Sequence, residues 1–395
     1  MKPRVLIVGG GLAGSSIAWH LSADTKVQLI EAGGRLGSES SRQNAGMLRR
    51  LGEDPYERRL AERSHRFLSD PPQDWDGLRP AEQTGALMLL SQDPHHLEDG
   101  VSHLRALNAA IETPRNLSQF RAILGKQAFC GAYYLPDELA CFPDDLLTGF
   151  HRGIQRKGHS LALRTPVRSL LESGGRLVGV HTDSGPIYAD HTVLAAGAWS
   201  SDLADTVGLK RPITPLRRSL FWTGPHAAFQ SDLPWIWVDD VGVYARPFQG
   251  GFMVSPCDER VDWPGEQVDS WGTPENWQFT LLEEKLRDYF PGLAQSSLER
   301  SWTGLRSFAP DRRPLLGEDP DLPGLWWAAG LGGFGLSASI GVGEAIAAWI
   351  EGRGCDGLDP RPVRPGRPLA KRWLMRPNGH IHRGELIGAS RSSVR

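Results

Sequence analysis

The opening thirty residues constrain this chain more than any other stretch. Arg4 to Val8 (RVLIV) is a β-branched apolar run of the length of one buried strand. Gly9, Gly11 and Gly14 follow in GGGLAG, spaced G-x-G-x-x-G, and Ile17, Ala18 and Leu21 then recur at helical spacing. Lys26 to Ile30 (KVQLI) reads as a second strand, closed by Glu31. The first glycine permits a tight strand-to-helix turn, the second lets a pyrophosphate approach the backbone, and the third lets helix and strand pack closely. The helix start offers unpaired N–H groups to phosphate, and an acid about twenty residues on can accept from ribose hydroxyls. Strand, glycines, helix, strand and acid in register predict an adenine dinucleotide site. The alternative is a glycine-rich turn in an unrelated α/β protein.

A chain of 395 residues exceeds one ordinary core and predicts two domains. Its net charge of −2 supplies no global field for nucleic acid, which is not expected as a partner. Cys130, Cys141, Cys257 and Cys355 are scattered without a CxxC pair, which argues against zinc and against a disulfide framework and fits a reducing, cytoplasmic compartment. The apolar run before the glycines is too short for a signal peptide.

Further along, Ala32 to Arg50 is a Gly-, Ser- and Asn-rich loop, and residues 55 to 69 have the spacing and charge of a surface helix. Ala86 to Leu90 is a strand candidate. His95 to Ile111 reads as a helix whose histidine pair lies on a solvated face. Asp144 to Lys157 is helical, and three strand candidates lie between His159 and Thr182. Thr192 to Trp199 (TVLAAGAW) is an apolar strand ending in small residues. From 211 to 300, short aromatic and β-branched runs divided by Gly and Pro predict an antiparallel sheet. Leu325 to Ala329 is a strand, Gly330 to Gly335 a glycine loop, and Ala338 to Ile350 a helix. Dinucleotide-type turns thus recur near 197 and 333 among the strands of a second unit, which predicts discontinuous domains. The expected division is 1–85 with 145–210 and 310–355, against 86–144 with 211–309. Residues 361 to 395 hold nine Lys and Arg against one acid. That tail is expected to be loosely ordered and solvated, with a partner or weak membrane-surface contact as the alternative. His380 and His382 lie there without further ligands, so no metal is expected.

These pieces resemble the FAD-dependent amino-acid oxidase and dehydrogenase family, which includes glycine oxidase, sarcosine oxidase, D-amino-acid dehydrogenase and D-arginine dehydrogenase. The carriers are GGGLAG with Glu31, the RQNAGML loop, LAAGAW at 194–199, WTGLRSFAPDRRPLLG at 302–317 and LWWAAGLGGFG at 325–335. The resemblance implies an α/β fold, with a Rossmann-like FAD domain of the glutathione-reductase type and an interleaved antiparallel α+β substrate domain. It implies noncovalent FAD, because 302–317 holds no Cys. The cofactor would lie against Gly9, Gly11, Leu12, Ala13, Gly14, Glu31 and Ala32. Ser41, Arg42, Gln43, Asn44, Ala45 and Gly46 would follow it, with Val167, Ala196, Gly197 and Trp199 near the adenosine. Gly332, Gly333, Phe334, Gly335 and Leu336 would bring a helix start to the flavin, the alternative being a plain strand-to-helix turn.

The resemblance also implies oxidation of a C–N bond beside a carboxylate, with oxygen or a quinone or other electron carrier as acceptor. Arg306 stands where relatives pair an Arg with the substrate carboxylate, and a guanidinium fork suits that planar group. Tyr244 matches a supporting tyrosine. The alternatives are a surface ion pair for Arg306 and a sheet-surface position for Tyr244. Where D-arginine dehydrogenase has a loop histidine and a tyrosine, this chain has Gly46 and Leu51, and no acid for a basic side chain stands at Gly85 or Ala86. No acid–base residue is nominated. Oxidation of a 2-hydroxy acid and a non-catalytic, flavin-stabilised assembly factor remain the competing functions. Trp222, Trp235, Trp237 and Trp263 are expected in the sheet interior, or else lining an apolar pocket.

Overall fold

The computed structural model describes residues 2–52, 54–265 and 272–368. The tail expected to be loose from 361 is packed as far as it is described: Val363 is buried and accepts from Leu316 N, and Arg367 is buried and donates to Asp311 at 2.8 Å. The remainder from 369, with His380 and His382, lies outside the described residues.

Two sheets organise the chain. The first runs in the order Leu315–Glu318, Leu325–Ala329, His191–Leu194, Arg4–Val8, Lys26–Ile30, Ser160–Ala162. Its strands are parallel except Leu315–Glu318, which turns back against Leu325–Ala329. The opening strand is central, and Val5, Leu6, Ile7 and Val8 are buried because both faces are covered. On one face pack the helices Leu12–His20, Pro55–Ser69, Pro143–Arg156 and Gly335–Ile350. On the other lies an antiparallel meander of Val167–Ser173, Arg176–Thr182 and Gly185–Tyr188.

The second sheet has eight strands. Seven follow one path: Arg260–Val261, Thr214–Pro225, Gly251–Ser255, Val243–Phe248, Trp235–Val238, Ala86–Leu90, Gly131–Leu135. The eighth, Arg300–Phe308, pairs antiparallel with Thr214–Pro225, setting Arg306 opposite Leu216 and Gly304 opposite Arg218. The sheet is mixed rather than wholly antiparallel, because Trp235–Val238 runs parallel to Ala86–Leu90. That neighbour lies about 150 residues earlier in the chain, which no local pattern reports.

Several expectations need correction. The 55–69 helix is more than a surface helix: Tyr56, Leu60, Ala61, Ser64 and Leu68 are buried, and Gly341 lets the last helix approach so closely that a Cβ there would lie 2.8 Å from Leu60 Cα. The helix expected over 95–111 is limited to Glu98–Ala106. His96 is not simply solvated, since its Nε2 lies 3.1 Å from the buried Asp239. The strand after Thr192 ends at Leu194, and Gly197–Trp199 is a 3-10 turn. The last helix begins at Gly335, three residues before the expected start. Trp235 and Trp237 are buried and Trp222 is half-buried, but Trp263 is 46% exposed. The segment Gly332–Ile350 is long and apolar enough to cross a membrane, yet 72% of its most apolar stretch is buried inside the fold. Burial of most of its surface explains why it is apolar apart from the partly exposed Glu344.

Candidate active site

The glycine turn folds as its spacing demands. Gly9 has φ +107°, and a Cβ there would lie 2.5 Å from Ala195 O. A Cβ on Gly14 would lie 2.0 Å from Gly9 O, so the third glycine seats the helix on the strand. Gly11 is the N-cap of Leu12–His20 and has no side-chain cap. Ser41 Oγ accepts from Leu12 N at 2.9 Å, which brings the 40–47 loop to the helix start. Glu31 is buried, and its two carboxylate oxygens accept from Gly10 N at 2.6 Å and Gly33 N at 2.7 Å.

From this turn a cavity of about 150 Å³ runs between the carboxyl ends of the parallel strands and the second sheet. Gly11, Leu12, Ala13, Ser41, Asn44, Ala45, Gly46 and Gly197 line it, together with Gly332, Gly333, Phe334, Gly335, Leu336, Tyr244 and Arg306. The crevice at strand carboxyl ends is where open α/β sheets take their ligands. Gly197, at φ +52°, has nothing within 4 Å of where a Cβ would stand. Small residues on both walls and a bare helix start fit a flat, diphosphate-linked cofactor of the FAD class.

Other predicted residues stand apart from this cavity. Gly9 and Gly14 act through the turn, and Glu31 through the backbone amides it holds. Ala32 follows Glu31 without lining the cavity. Val167 and Ala196 pack against the cluster on the meander side of the parallel sheet. Trp199 donates from Nε1 to Gly265 O at 3.1 Å. Arg42 faces away, donating to Leu36 O and pairing with Asp144. Gln43 contributes its carbonyl rather than its side chain.

That carbonyl matters because of Arg306. The side chain of Arg306 is buried, with Nη2 donating to Gln43 O at 2.8 Å and Nη1 to Leu305 O at 3.0 Å. It is therefore no surface ion pair. Burial, and next the Arg218 cation, pull its pKa from 12.5 down to about 10, so it stays charged at neutral pH. Tyr244 is also buried, and burial holds its phenol protonated above the ordinary tyrosine range. Its ring lies against Trp237 with centroids 4.9 Å apart. No Asp, Glu or His is among the described residues lining the cavity.

Two cations in the wall were not nominated from the sequence. Arg218 lies on the strand paired with that of Arg306, and its Nη2 donates to Glu259 at 2.5 Å. Arg49 stacks on Trp237 with its guanidinium carbon 4.6 Å from the ring centre, and its Nη1 donates to Asp239 at 2.6 Å. Both partners of Arg49 are about 190 residues away, so the local sequence holds no signal for it.

Comparison with known proteins agrees with this architecture. The sequence pattern of a family described as FAD dependent oxidoreductase matches residues 4–349. The chain is 30% identical to a glycine oxidase of Pseudomonas aeruginosa over 383 residues, covering 93% of this chain and 100% of that protein. It is 26% identical to the mitochondrial pyruvate dehydrogenase phosphatase regulatory subunit of Mus musculus and to a 4-methylaminobutanoate oxidase of Paenarthrobacter nicotinovorans. It covers 88% and 91% of its own length in those matches, but spans only 41% and 45% of those longer proteins. Among solved structures, L-proline dehydrogenase from P. horikoshii superposes with a TM-score of 0.78 at 22% identity, over 92% of this chain and 96% of that one. Glycine oxidase from Geobacillus kaustophilus gives 0.77 at 22% identity, over 93% and 100%. The glycine turn, the doubly walled crevice and the match over residues 4–349 together make this chain a member of the FAD dependent oxidoreductase family, with FAD as its cofactor.

Proposed function

We propose that the chain oxidises the C–N bond of an amino acid or small amine that carries a carboxylate. The observation that supports this most is Arg306: a buried, charged guanidinium in the cavity wall, bonded only to main-chain carbonyls in the described structure, beside the protonated hydroxyl of Tyr244. A buried cation of this kind is stabilised by an anionic guest. Glycine oxidases, sarcosine dehydrogenases and 4-methylaminobutanoate oxidase among the relatives favour an amino acid over a 2-hydroxy acid.

Arg306 and Tyr244 would hold the substrate carboxylate and so fix its α-carbon against the crevice. When bound, FAD would supply the two-electron oxidising chemistry for the C–N bond, and the imine product would be left to hydrolysis by water to a 2-oxo acid and the free amine. Arg306, Arg218 and Arg49 would disfavour an ammonium beside them, which promotes arrival of the neutral amine without a dedicated base. The start of the Gly335–Ile350 helix offers positive dipole to negative charge at its end of the crevice.

The test is anaerobic mixing of FAD-loaded protein with glycine, sarcosine, and D- and L-amino acids, followed by admission of air. Bleaching of the flavin by a member of the panel is expected, and its return in air identifies oxygen as an acceptor. Flavin that stays oxidised across the panel refutes the reading. It would favour the non-catalytic role that a regulatory-subunit relative suggests.

A further inference from the structure

Side chains alternate across a strand, so Tyr244, Arg246 and Phe248 share one face of Val243–Phe248. Tyr244 reaches the cavity of Arg306. Arg246 and Phe248 line a larger chamber of about 1080 Å³, which meets that cavity at Asn44 and Gly46. The pairing of Arg246 with Met253 keeps Met253 in the same wall. Glycine or sarcosine leaves such a chamber unused.

Two of its buried side chains each keep one donor without a partner among the described residues. Arg246 is 5% exposed, donates from Nη1 to Ala45 O, and has no partner at Nε. Among the described residues the titratable groups acting on it are Cys141, Glu82 and Tyr244, of which only Glu82 carries charge at neutral pH and none is bonded to it, and burial pulls its pKa below the ordinary arginine value. Trp235 is 1% exposed, lines the same chamber, and its Nε1 has no acceptor. Leaving a buried donor unmade costs more than an average hydrogen bond gains. Buried guanidinium groups are ordinarily paired. Phe142 and Phe248 flank the guanidinium at 5.8 and 5.7 Å from their ring centres. At the outer wall Glu82, Asp144 and Glu299 stand against Arg35, Arg42 and Arg300, so neither sign prevails there and recognition falls to the interior.

The geometry points to a distal carboxylate subsite: Arg246 and Trp235 receive a second carboxylate, carried at the far end of an apolar substituent on the amino acid whose own carboxylate sits on Arg306. Which end enters first rests on the proposed C–N oxidation. The aromatic and Met253 walls take the spacer, and the unmade donors at Nε and Nε1 are met by the terminal oxygens.

The test uses the full FAD-loaded chain, held anaerobic, with two probe pairs: N-benzylglycine against N-(4-carboxybenzyl)glycine, and racemic phenylalanine against racemic 4-carboxyphenylalanine. Dissociation constants are read by calorimetry on protein whose flavin has first been reduced with dithionite, so that no probe can be oxidised during the titration, and flavin reduction is read separately on the oxidised protein. The carboxylate-bearing member of at least one pair is expected to bind about tenfold tighter, as befits hydrogen bonds to a charged group. Arg246→Met should abolish that preference, and Trp235→Phe, which keeps the ring and removes the donor, should reduce it. If Arg246→Met does not fold, Arg246→Lys carries the test, because it keeps the charge but loses the fork and should also reduce the preference. Equal affinities within both pairs, or a preference untouched by the variants, overturns the subsite. A preference without flavin reduction by any compound upholds the subsite and removes the C–N reading. Reduction by glycine or sarcosine with no preference does the reverse.

Discussion

Replacing Arg306 with methionine separates a substrate ligand from a structural cation. A substrate carboxylate on the guanidinium fork makes two charge-assisted hydrogen bonds worth about 1.5–3 kcal/mol each. Losing both lowers kcat/KM by about 10²–10⁴, at 1.36 kcal/mol per decade. The fold responds differently. Methionine forfeits the bonds to Gln43 O and Leu305 O, at about 1 kcal/mol apiece. It also relieves a buried cation whose pKa has fallen from 12.5 to about 10, which corresponds to about 3 kcal/mol of unfavourable charging. These nearly cancel, so Tm should move by less than about 4 °C. Arg306→Lys keeps a point charge and loses the fork, and its activity should fall between the two. The assay is steady-state kinetics with the best substrate of the anaerobic panel, alongside thermal unfolding and FAD content. Unchanged kcat/KM, or a fall in activity matched by collapse of Tm and loss of FAD, would refute the assignment.

Other consequences follow from buried contacts. Gly14→Ala sets a Cβ 2.0 Å from Gly9 O, an overpacking that should cost about 1–3 kcal/mol or more, lower Tm and lower the flavin-to-protein absorbance ratio. Glu138 bonds Arg50 Nε at 2.8 Å with both groups buried, so Glu138→Gln should destabilise the fold by about 3 kcal/mol in denaturant melts, because it leaves Arg50 only the looser 3.6 Å pair with Glu62. Burial pulls His20 from 6.5 down to about 4. Between those values the unfolded chain holds a proton that the folded chain refuses, so stability falls as pH drops from 6.5 towards 4. The loss is at most about 3 kcal/mol, and less for a ring partly open to water. His20→Asn should flatten this slope in urea melts at pH 4.5 and 7.

The dinucleotide half of the fold was legible because its signals are local. Arg4–Val8 and Lys26–Ile30 have the bounds read from their apolar runs, and Asp54 caps a helix at Pro55 as a start signal should. Gly9 and Gly14 meet backbone atoms in the way their spacing implies. What escaped is non-local. The parallel pairing of Trp235–Val238 with Ala86–Leu90 joins segments about 150 residues apart, and hydrophobic pattern carries no register between them. The cavity shows the same division. Arg306 could be named because its motif is contiguous, and the structure adds that Gln43 serves through its carbonyl. Arg49 and Arg218 could not, since each is held by partners the chain brings from elsewhere: Asp239 and Trp237 for one, Glu259 for the other. Val167 and Trp199 were named through the family resemblance, and their side chains point to the meander cluster and to Gly265.

The most direct measurement is a crystal structure of the FAD-loaded protein with methylthioacetate, a carboxylate analogue of sarcosine that has no amine to oxidise. Both carboxylate oxygens should lie about 3 Å from the Arg306 guanidinium, with one also in reach of the Tyr244 hydroxyl. A ligand bound elsewhere, with Arg306 still donating only to Gln43 and Leu305, would contradict the account.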